Sequence, residues 1–159
     1  MAIVVNAGPL ISLARIGQLD LLPKLFGEII IPAAVYREVT QDQSLPGAAA
    51  IQKAEWIRSA EVSDRAAVER FSFWLDADES EVLVLAQELG ITAAIDERRG
   101  RNIAAALGLP QTGTVGILLT AKKAGLIPFV VPLLDQLSAS GVRISSRLHE
   151  EARRLADEA

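Results

Sequence analysis

Short apolar runs that alternate with helical patterns are the feature that most constrains the fold of this chain. The runs at 2–5, 28–31 and 91–95 consist mainly of aliphatic residues, which is typical of strands buried on both faces of a sheet. The segments between them space their apolar residues as helices do. Strands that alternate with helices build a mainly parallel sheet with helices on both faces. We therefore predict a three-layer α/β fold with four to five strands.

Weaker patterns complete the expected sheet. A short strand near 56–57, a brief extended piece at 109–111 and a last strand at 142–144 are compatible with the sequence. The stretch 48–57 otherwise favours a helix. The chain has no internal repeat, no low-complexity tract and no domain linker, and its length of 159 residues suits one domain. We expect a single domain over residues 1–159.

Composition excludes several classes of function. The chain has no cysteine, which excludes disulfides and zinc–thiolate sites, and His149 is its only histidine. A Ser-His or Cys-His mechanism would depend on that residue, which sits in a polar helix and has the pattern of a surface residue. The net charge of −4 argues against a protein that coats nucleic acid without specificity. No run approaches the ~18 apolar residues of a membrane span, and the apolar start lacks a charged export signal, so we expect a cytoplasmic protein.

The helical segment after Leu75 places an acid toward the interior. Its apolar sector comprises Val82, Leu83, Leu85, Ala86 and Leu89. Glu79 projects into this sector, whereas Glu81 and Glu88 point to the opposite, solvated side. An inward carboxylate requires a partner. The alternative explanation for Glu79 is its place in the first helical turn, where an acid stabilises the helix dipole.

Three further polar residues stand where a site would form. Asn6 and Asp96 end two of the apolar runs, and ligands bind at the carboxyl edge of α/β sheets. Glu38 falls on the apolar side of the helix that follows the second run. Each has a simpler explanation: Asn6 as a turn residue, Asp96 as a helix N-cap, and Glu38 as a partly exposed acid paired with an arginine.

Two groups of side chains suggest a nucleic-acid surface. Arg98, Arg99 and Arg101 follow Asp96 directly; they either contact phosphate and offset the acids or form an ordinary solvated face. The aromatic residues between 56 and 74 could stack on bases, but packing in the core or at a dimer interface is the interpretation we favour. These aromatic residues are Trp56, Phe71, Phe73 and Trp74.

In chain order, these pieces resemble the PIN-domain family, in particular its prokaryotic branch of toxin-like, nucleic-acid-binding proteins. The matching segments are VVNAGPLISLARIGQLDLLPKLFG, IIIPAAVYREV, LDADESEVLVLAQELG, IDERRGRNIAAALGL, and TGTVGILLTAKKAGLIPFVVPLLDQL followed by GVRIS. They cover almost all of residues 4–145. The resemblance implies a Rossmann-like sheet and a cleft of acids that binds Mg²⁺ or Mn²⁺. It also implies hydrolysis of single-stranded RNA, often by a toxin whose small antitoxin blocks the site.

The resemblance also assigns roles to individual residues. It places the catalytic set at Asn6, Glu38, Glu79 and Asp96, the metal ligands at Glu79, Asp96 and Asn6, and the RNA contacts at Arg98, Arg99 and Arg101. The chain departs from the family pattern at three positions. Asn6 stands where the family has its characteristic first Asp, Gly8 where a Ser commonly positions that Asp, and Asp78 where a Gly usually precedes Glu79.

Two functional hypotheses follow. The first is a metal-dependent endoribonuclease of the PIN type that acts on single-stranded RNA as the toxin of a toxin–antitoxin pair. The second is a catalytically weakened or silent PIN-like module that binds RNA or a protein partner, because Asn6 removes about one negative charge from the metal site. A nucleotide-binding Rossmann protein is disfavoured, since the turn after the first strand lacks the required glycines. From the resemblance and the apolar composition we expect a homodimer.

Overall fold

Five parallel strands form the sheet of this protein, which a computed structural model describes over all of residues 1–159. The strands are β1 (Ala2–Val5), β2 (Glu28–Pro32), β3 (Ile57–Ala60), β4 (Thr92–Ala94) and β5 (Gln111–Thr112). Their order across the sheet is β3, β2, β1, β4, β5. The predicted α/β fold with a parallel sheet is confirmed, and each of the three apolar runs forms a strand.

Ten helices connect and cover these strands. They are α1 (Ala7–Arg15), α2 (Leu21–Phe26), α3 (Ala33–Gln41), α4 (Ala48–Lys53), α5 (Arg65–Phe71), α6 (Ala77–Leu89), α7 (Arg98–Ala106), α8 (Thr114–Lys123), α9 (Val131–Ala139) and α10 (Ser146–Leu155). The central helix α6 packs against β1 and β2. Because helices cover the sheet, β1 and β2 bury almost every side chain, as their aliphatic composition requires. No helix of the structure has the length and apolar composition needed to cross a membrane.

The winding of the sheet reverses at β1, its central strand. The chain runs outward from β1 to β2 and β3, and then returns to the other side of β1 to form β4 and β5. Val4 therefore pairs with both Ile30 of β2 and Ala93 of β4. Where neighbouring strands lead their connections in opposite directions, a crevice opens beyond their carboxyl ends. Asn6 after β1 and Asp96 after β4 lie at that crevice.

Two local predictions about backbone structure are wrong. Residues 142–144 form no strand, because the Val142 N–H donates to the Leu137 carbonyl at 3.0 Å and closes the end of α9. The helix predicted over 48–57 ends at Lys53, whereas the alternative of a short strand near 56–57 is confirmed, because Ile57 begins β3 as the partner of Ile29. In this second case a contact with another part of the chain overrides the local pattern.

The burial of Glu81 on α6 differs from the prediction. The sequence places it on the solvated side, but its side chain is buried and accepts a hydrogen bond from the Arg65 guanidinium at 3.1 Å. The reason is α5, which packs over this side of α6 and brings Arg65 with it. Glu88, on the same helix, is exposed as predicted and accepts hydrogen bonds from the N–H groups of Ser63 and Asp64.

Candidate functional site

An acidic pocket of about 380 Å³ lies at the crevice beyond β1 and β4. Its lining residues are Asn6, Ala7, Gly8, Glu38, Asp76, Asp78, Glu79, Asp96 and Glu97. All four residues of the predicted catalytic set line this pocket. The lining contains six carboxylates and no lysine, arginine or histidine, so the pocket concentrates negative charge that only a cation or protons can balance.

Asn6 is buried at the floor of the pocket. Its backbone N–H donates to the Ala94 carbonyl at 3.0 Å and extends the pairing of β1 with β4 past the ends of both strands. Although Asn6 precedes α1, its side chain makes no capping hydrogen bond. Its Oδ1 atom is buried without any hydrogen-bond partner. A buried amide oxygen without a hydrogen-bond partner costs folding free energy. Because Oδ1 has no partner within the protein, it can accept a hydrogen bond from a water or ligate a cation.

Asp96 is held by Thr114, at the start of α8. Oδ1 accepts a hydrogen bond from the Thr114 N–H at 2.7 Å, and Oδ2 accepts one from the Thr114 hydroxyl at 2.7 Å. The N-cap position of the following helix α7 belongs to Glu97, so the capping explanation for Asp96 is wrong for its own helix. Each carboxylate oxygen has two lone pairs, and a second acceptor site on each remains for a ligand.

A glycine makes this contact between Asp96 and Thr114 sterically possible. A Cβ atom at Gly113 would lie 2.8 Å from Asp96 Oδ1 and 3.1 Å from the Ile95 carbonyl oxygen. Real Cβ atoms do not approach oxygen that closely without displacement of the neighbour. Gly113 therefore allows the Asp96 carboxylate to approach the start of α8, and it is not part of a phosphate-binding loop.

Glu79 occupies the third position of α6 and is 7% exposed. The side chain of Asp76, the N-cap residue, accepts a hydrogen bond from the Glu79 N–H at 2.8 Å. Burial, followed by a hydrogen bond and charge repulsion from the Asp76 side chain, raises the pKa of Glu79 to about 7. Its Oε2 atom is buried without a partner. Dipole stabilisation alone would leave this carboxylate in water, so that alternative does not explain the observed position.

Glu38 meets another acid and not an arginine. Glu38 is exposed and does not point into the interior as predicted. The predicted alternative is right about its exposure, but no arginine pairs with it. A hydrogen bond with the Asp78 side chain, followed by desolvation and by repulsion from Asp78 and Asp76, raises the pKa of Glu38 to about 7. A cation bound beside these acids would favour their charged forms.

The donor set of the pocket fits a hard divalent cation that keeps part of its water shell. No three acidic or histidine side chains lie in an arrangement that could hold a metal ion. Mg²⁺ needs only one or two carboxylates, because it retains several water ligands. The unpartnered oxygens of Asn6 and Glu79 and the free lone pairs of Asp96 supply oxygen ligands of that kind.

The three arginines of the predicted RNA-binding cluster do not form one patch. Arg98 and Arg99 line a groove next to Trp74, whereas Arg101 lies on the other side of Asp96 in a hollow that also contains Arg143. For Arg99 and Arg101, helical geometry explains the separation, since residues two apart on a helix point about 200° apart around its axis. The cations therefore lie on two sides of the acidic pocket.

Four residues of the site were not assigned a role by the sequence analysis. Asp76, Glu97 and Asp78 line the pocket, and Thr114 holds Asp96. Asp76 has a sequence signal, because an acid three residues before a glutamate at a helix start is a capping pattern. The role of Thr114 has no such signal, since its partner lies 18 positions away in the chain.

The fold and the pocket define a Rossmann-like α/β protein with an acidic, oxygen-rich cleft at the switch point of its sheet. A family model described as PIN domain matches residues 2–158, and the chain belongs to that family. PIN domains are nuclease-like modules that generally depend on divalent metal ions. No curated protein matches the chain.

Proposed function

We propose that this protein is a metal-dependent endoribonuclease that cleaves single-stranded RNA at the acidic pocket. The observation that carries the proposal is the pair of buried, unpartnered oxygens of Asn6 and Glu79 in a pocket with six carboxylates. Such groups are expensive to bury unless a ligand satisfies them. A bound Mg²⁺ or Mn²⁺ would supply charge balance for the phosphate and an activated water.

Each residue of the pocket takes a defined role in this proposal. Asp96, whose carboxylate Thr114 holds with two hydrogen bonds, and Glu79, whose Oε2 has no partner, would hold the metal. Asn6 would contribute a neutral oxygen or orient a water ligand. Glu38 would complete the site together with Asp78, and a bound cation would lower the raised pKa of Glu38.

The additional acids of the pocket offset the charge that Asn6 does not carry. One charge pair at ~4 Å is worth about 4 kcal/mol at an effective dielectric of about 20, so an amide in place of an aspartate would weaken metal binding greatly in an otherwise equal site. Asp76, Asp78 and Glu97 add three carboxylates that the sequence analysis did not count. Asp76 and Glu97 are exposed, so each contributes less than a direct ligand.

Cleavage of an unstructured RNA oligomer in Mg²⁺, Mn²⁺ or EDTA tests this proposal. We expect cleavage with metal and none with EDTA, and we expect Asp96→Asn to abolish cleavage with a small change in the melting temperature. Asp20→Asn is the matched control, because Asp20 is exposed and its side chain makes no capping bond. Cleavage that survives EDTA, or that Asp96→Asn leaves unchanged, would contradict the proposal.

A silent binding module is the second candidate, and two observations favour it. Asn6 is neutral, and no three acidic or histidine side chains lie in an arrangement that could hold a metal ion. Calorimetric titration with Mn²⁺ separates the candidates: heat at micromolar to low-millimolar concentration supports the enzyme. If Asn6→Asp alone introduces cleavage, the natural protein is the silent module.

We also propose that the protein acts as the toxin of a pair whose small antitoxin covers the acidic pocket, and that it forms a homodimer. The support is the charge of the pocket, which a basic segment would complement, and the exposure of several large apolar side chains outside it. Light scattering of the purified protein tests the dimer. Loss of cleavage on addition of the partner tests the antitoxin.

A further inference from the structure

A groove of about 720 Å³ lies beside the acidic pocket and has the opposite charge. Its lining residues are Trp74, Arg98, Arg99, Asn102, Ile103 and Ala106. Two of the six are cations and none is an acid, although the chain as a whole carries −4. The groove therefore offers a local site for an anion that has an apolar, planar part.

Two neighbouring aromatic side chains project into solvent at this place. Phe73 is 84% exposed and Trp74 is 59% exposed, and their ring centroids lie 6.1 Å apart at an angle of 60°. Neither ring packs in the core, whereas Trp56 and Phe71 do pack against it. Packing of Phe73 and Trp74 at a dimer interface, the other expectation for them, stays a prediction. Exposed aromatic pairs are costly in water, and a partner surface is their usual explanation.

The backbone presents Trp74 outward and holds it there. Leu75 is buried, and its N–H donates to the Phe71 carbonyl at 2.9 Å, which fixes the chain on the inner side of the loop. The Arg99 guanidinium donates to the Trp74 carbonyl oxygen at 3.1 Å and ties the loop to α7. The backbone of Trp74 is thus held in place, and its ring faces solvent.

The groove adjoins the acidic pocket directly. Trp74 precedes Asp76 by two residues, which span at most about 7 Å of extended chain. Gly100, the residue after Arg99, lies against Glu79, because a Cβ atom at Gly100 would be 2.9 Å from Glu79 Oε2. A nucleic-acid strand bound in the groove would therefore reach the acidic pocket about one nucleotide further along the strand.

We propose that the groove binds an unpaired base of the RNA strand, with the base stacked on Trp74 and the flanking phosphates paired with Arg98 and Arg99. This rests on the proposed function, because it assigns the substrate's next nucleotide to this surface. Stacking on an aromatic ring needs no sequence readout and suits any base. Arginine adds planar contacts to phosphate. A protein partner could also use Trp and Arg, but a groove with two arginines and no acid favours a ligand that carries phosphates.

Binding of an oligouridylate in EDTA tests the proposal apart from cleavage. We expect Trp74→Leu to weaken binding about five- to hundredfold, since removal of one stacked base costs that much. Trp74→Tyr should stay within a few fold of the natural protein, because it keeps a flat ring. Phe129→Ala is the matched control: Phe129 is 58% exposed and lies 5.8 Å from Lys122 Nζ, so it is another exposed ring beside a cation.

Tryptophan fluorescence supplies a readout that a merely structural role would not change. The chain has two tryptophans, so Trp56→Phe leaves Trp74 as the only emitter. Oligouridylate should quench this emission, whereas an abasic oligomer with the same phosphates should not. Arg98→Gln should lower the slope of log affinity against log salt by about 0.7, the value for one phosphate contact on a single strand.

Several outcomes would overturn the inference. No binding of RNA, saturated binding without quenching, or equal affinity of Trp74→Leu and the natural protein would each do so. Loss of the oligomeric state in Trp74→Leu with unchanged RNA affinity would assign the surface to a protein contact instead. The proposed function fails separately, when the quenching persists but no metal supports cleavage.

Discussion

Glu79 makes the stability of the metal-free protein depend on pH in a way that one substitution can isolate. Burial and the neighbouring Asp76 raise the pKa of Glu79 to about 7 from an ordinary value of 4.5. The folded protein therefore holds this proton more tightly than the unfolded chain does. The stabilisation is fully present below pH 4.5 and is lost as the pH rises through about 7.

The difference in pKa sets the expected magnitude. One pKa unit corresponds to about 1.4 kcal/mol, so roughly 3 kcal/mol of unfolding free energy is at stake for a carboxyl group that is 7% exposed. Glu79→Gln keeps the shape of the protonated acid and does not titrate. We expect the variant to match the natural protein at pH 4.5 and to exceed its unfolding free energy by roughly 3 kcal/mol at pH 8, or about 6–12 °C in melting temperature.

Thermal or urea unfolding in EDTA between pH 4.5 and 8 measures this difference. Glu150→Gln is the control, because Glu150 is exposed and makes no side-chain hydrogen bond, and its curve should parallel that of the natural protein. Addition of Mn²⁺ at pH 8 should raise the melting temperature of the natural protein more than that of Glu79→Gln, since only the former offers the carboxylate. Parallel pH curves for Glu79→Gln and the natural protein would refute the reasoning.

Two further substitutions test how the site is held. Thr114→Val removes the hydroxyl that donates to Asp96, and we expect a loss of about 2 kcal/mol in urea unfolding together with weaker Mn²⁺ binding; Thr114→Ser should retain both. Gly100→Ala would place a Cβ atom 2.9 Å from Glu79 Oε2 and from Ile95 Cγ2. We expect it to cost about 1–3 kcal/mol in unfolding free energy, and a gain from better helix propensity would contradict that contact.

The local pattern of the sequence was sufficient for the strands that carry the site. Aliphatic runs identify β1, β2 and β4, because a strand buried on both faces can contain little else. The polar residues that end two of these runs, Asn6 and Asp96, must then lie at one edge, since parallel strands present all their carboxyl ends together. Helical spacing likewise turns Glu79 inward.

The surroundings of these side chains depended on contacts that no local pattern contains. Glu81 lies opposite the apolar sector of α6, where the sequence predicts a solvated side chain, and only the packing of α5 buries it against Arg65. Phe73 and Trp74 are large apolar residues of the kind that fill a core, yet the turn at Leu75 leaves both side chains exposed. Hydrophobicity predicts that a side chain can be buried, but not whether another element covers it.

What the sequence by itself determined is the order of the strands and helices along the chain, the parallel sheet and the acids at its edge. These follow from periodicity and from chain direction, which are properties of neighbouring residues. The tertiary structure alone decided that Glu38 and Asp78 line one pocket, that Thr114 holds Asp96, and that the arginines lie on two sides of that pocket. Those contacts join residues far apart in the chain, and their geometry is set by how whole helices pack against the sheet.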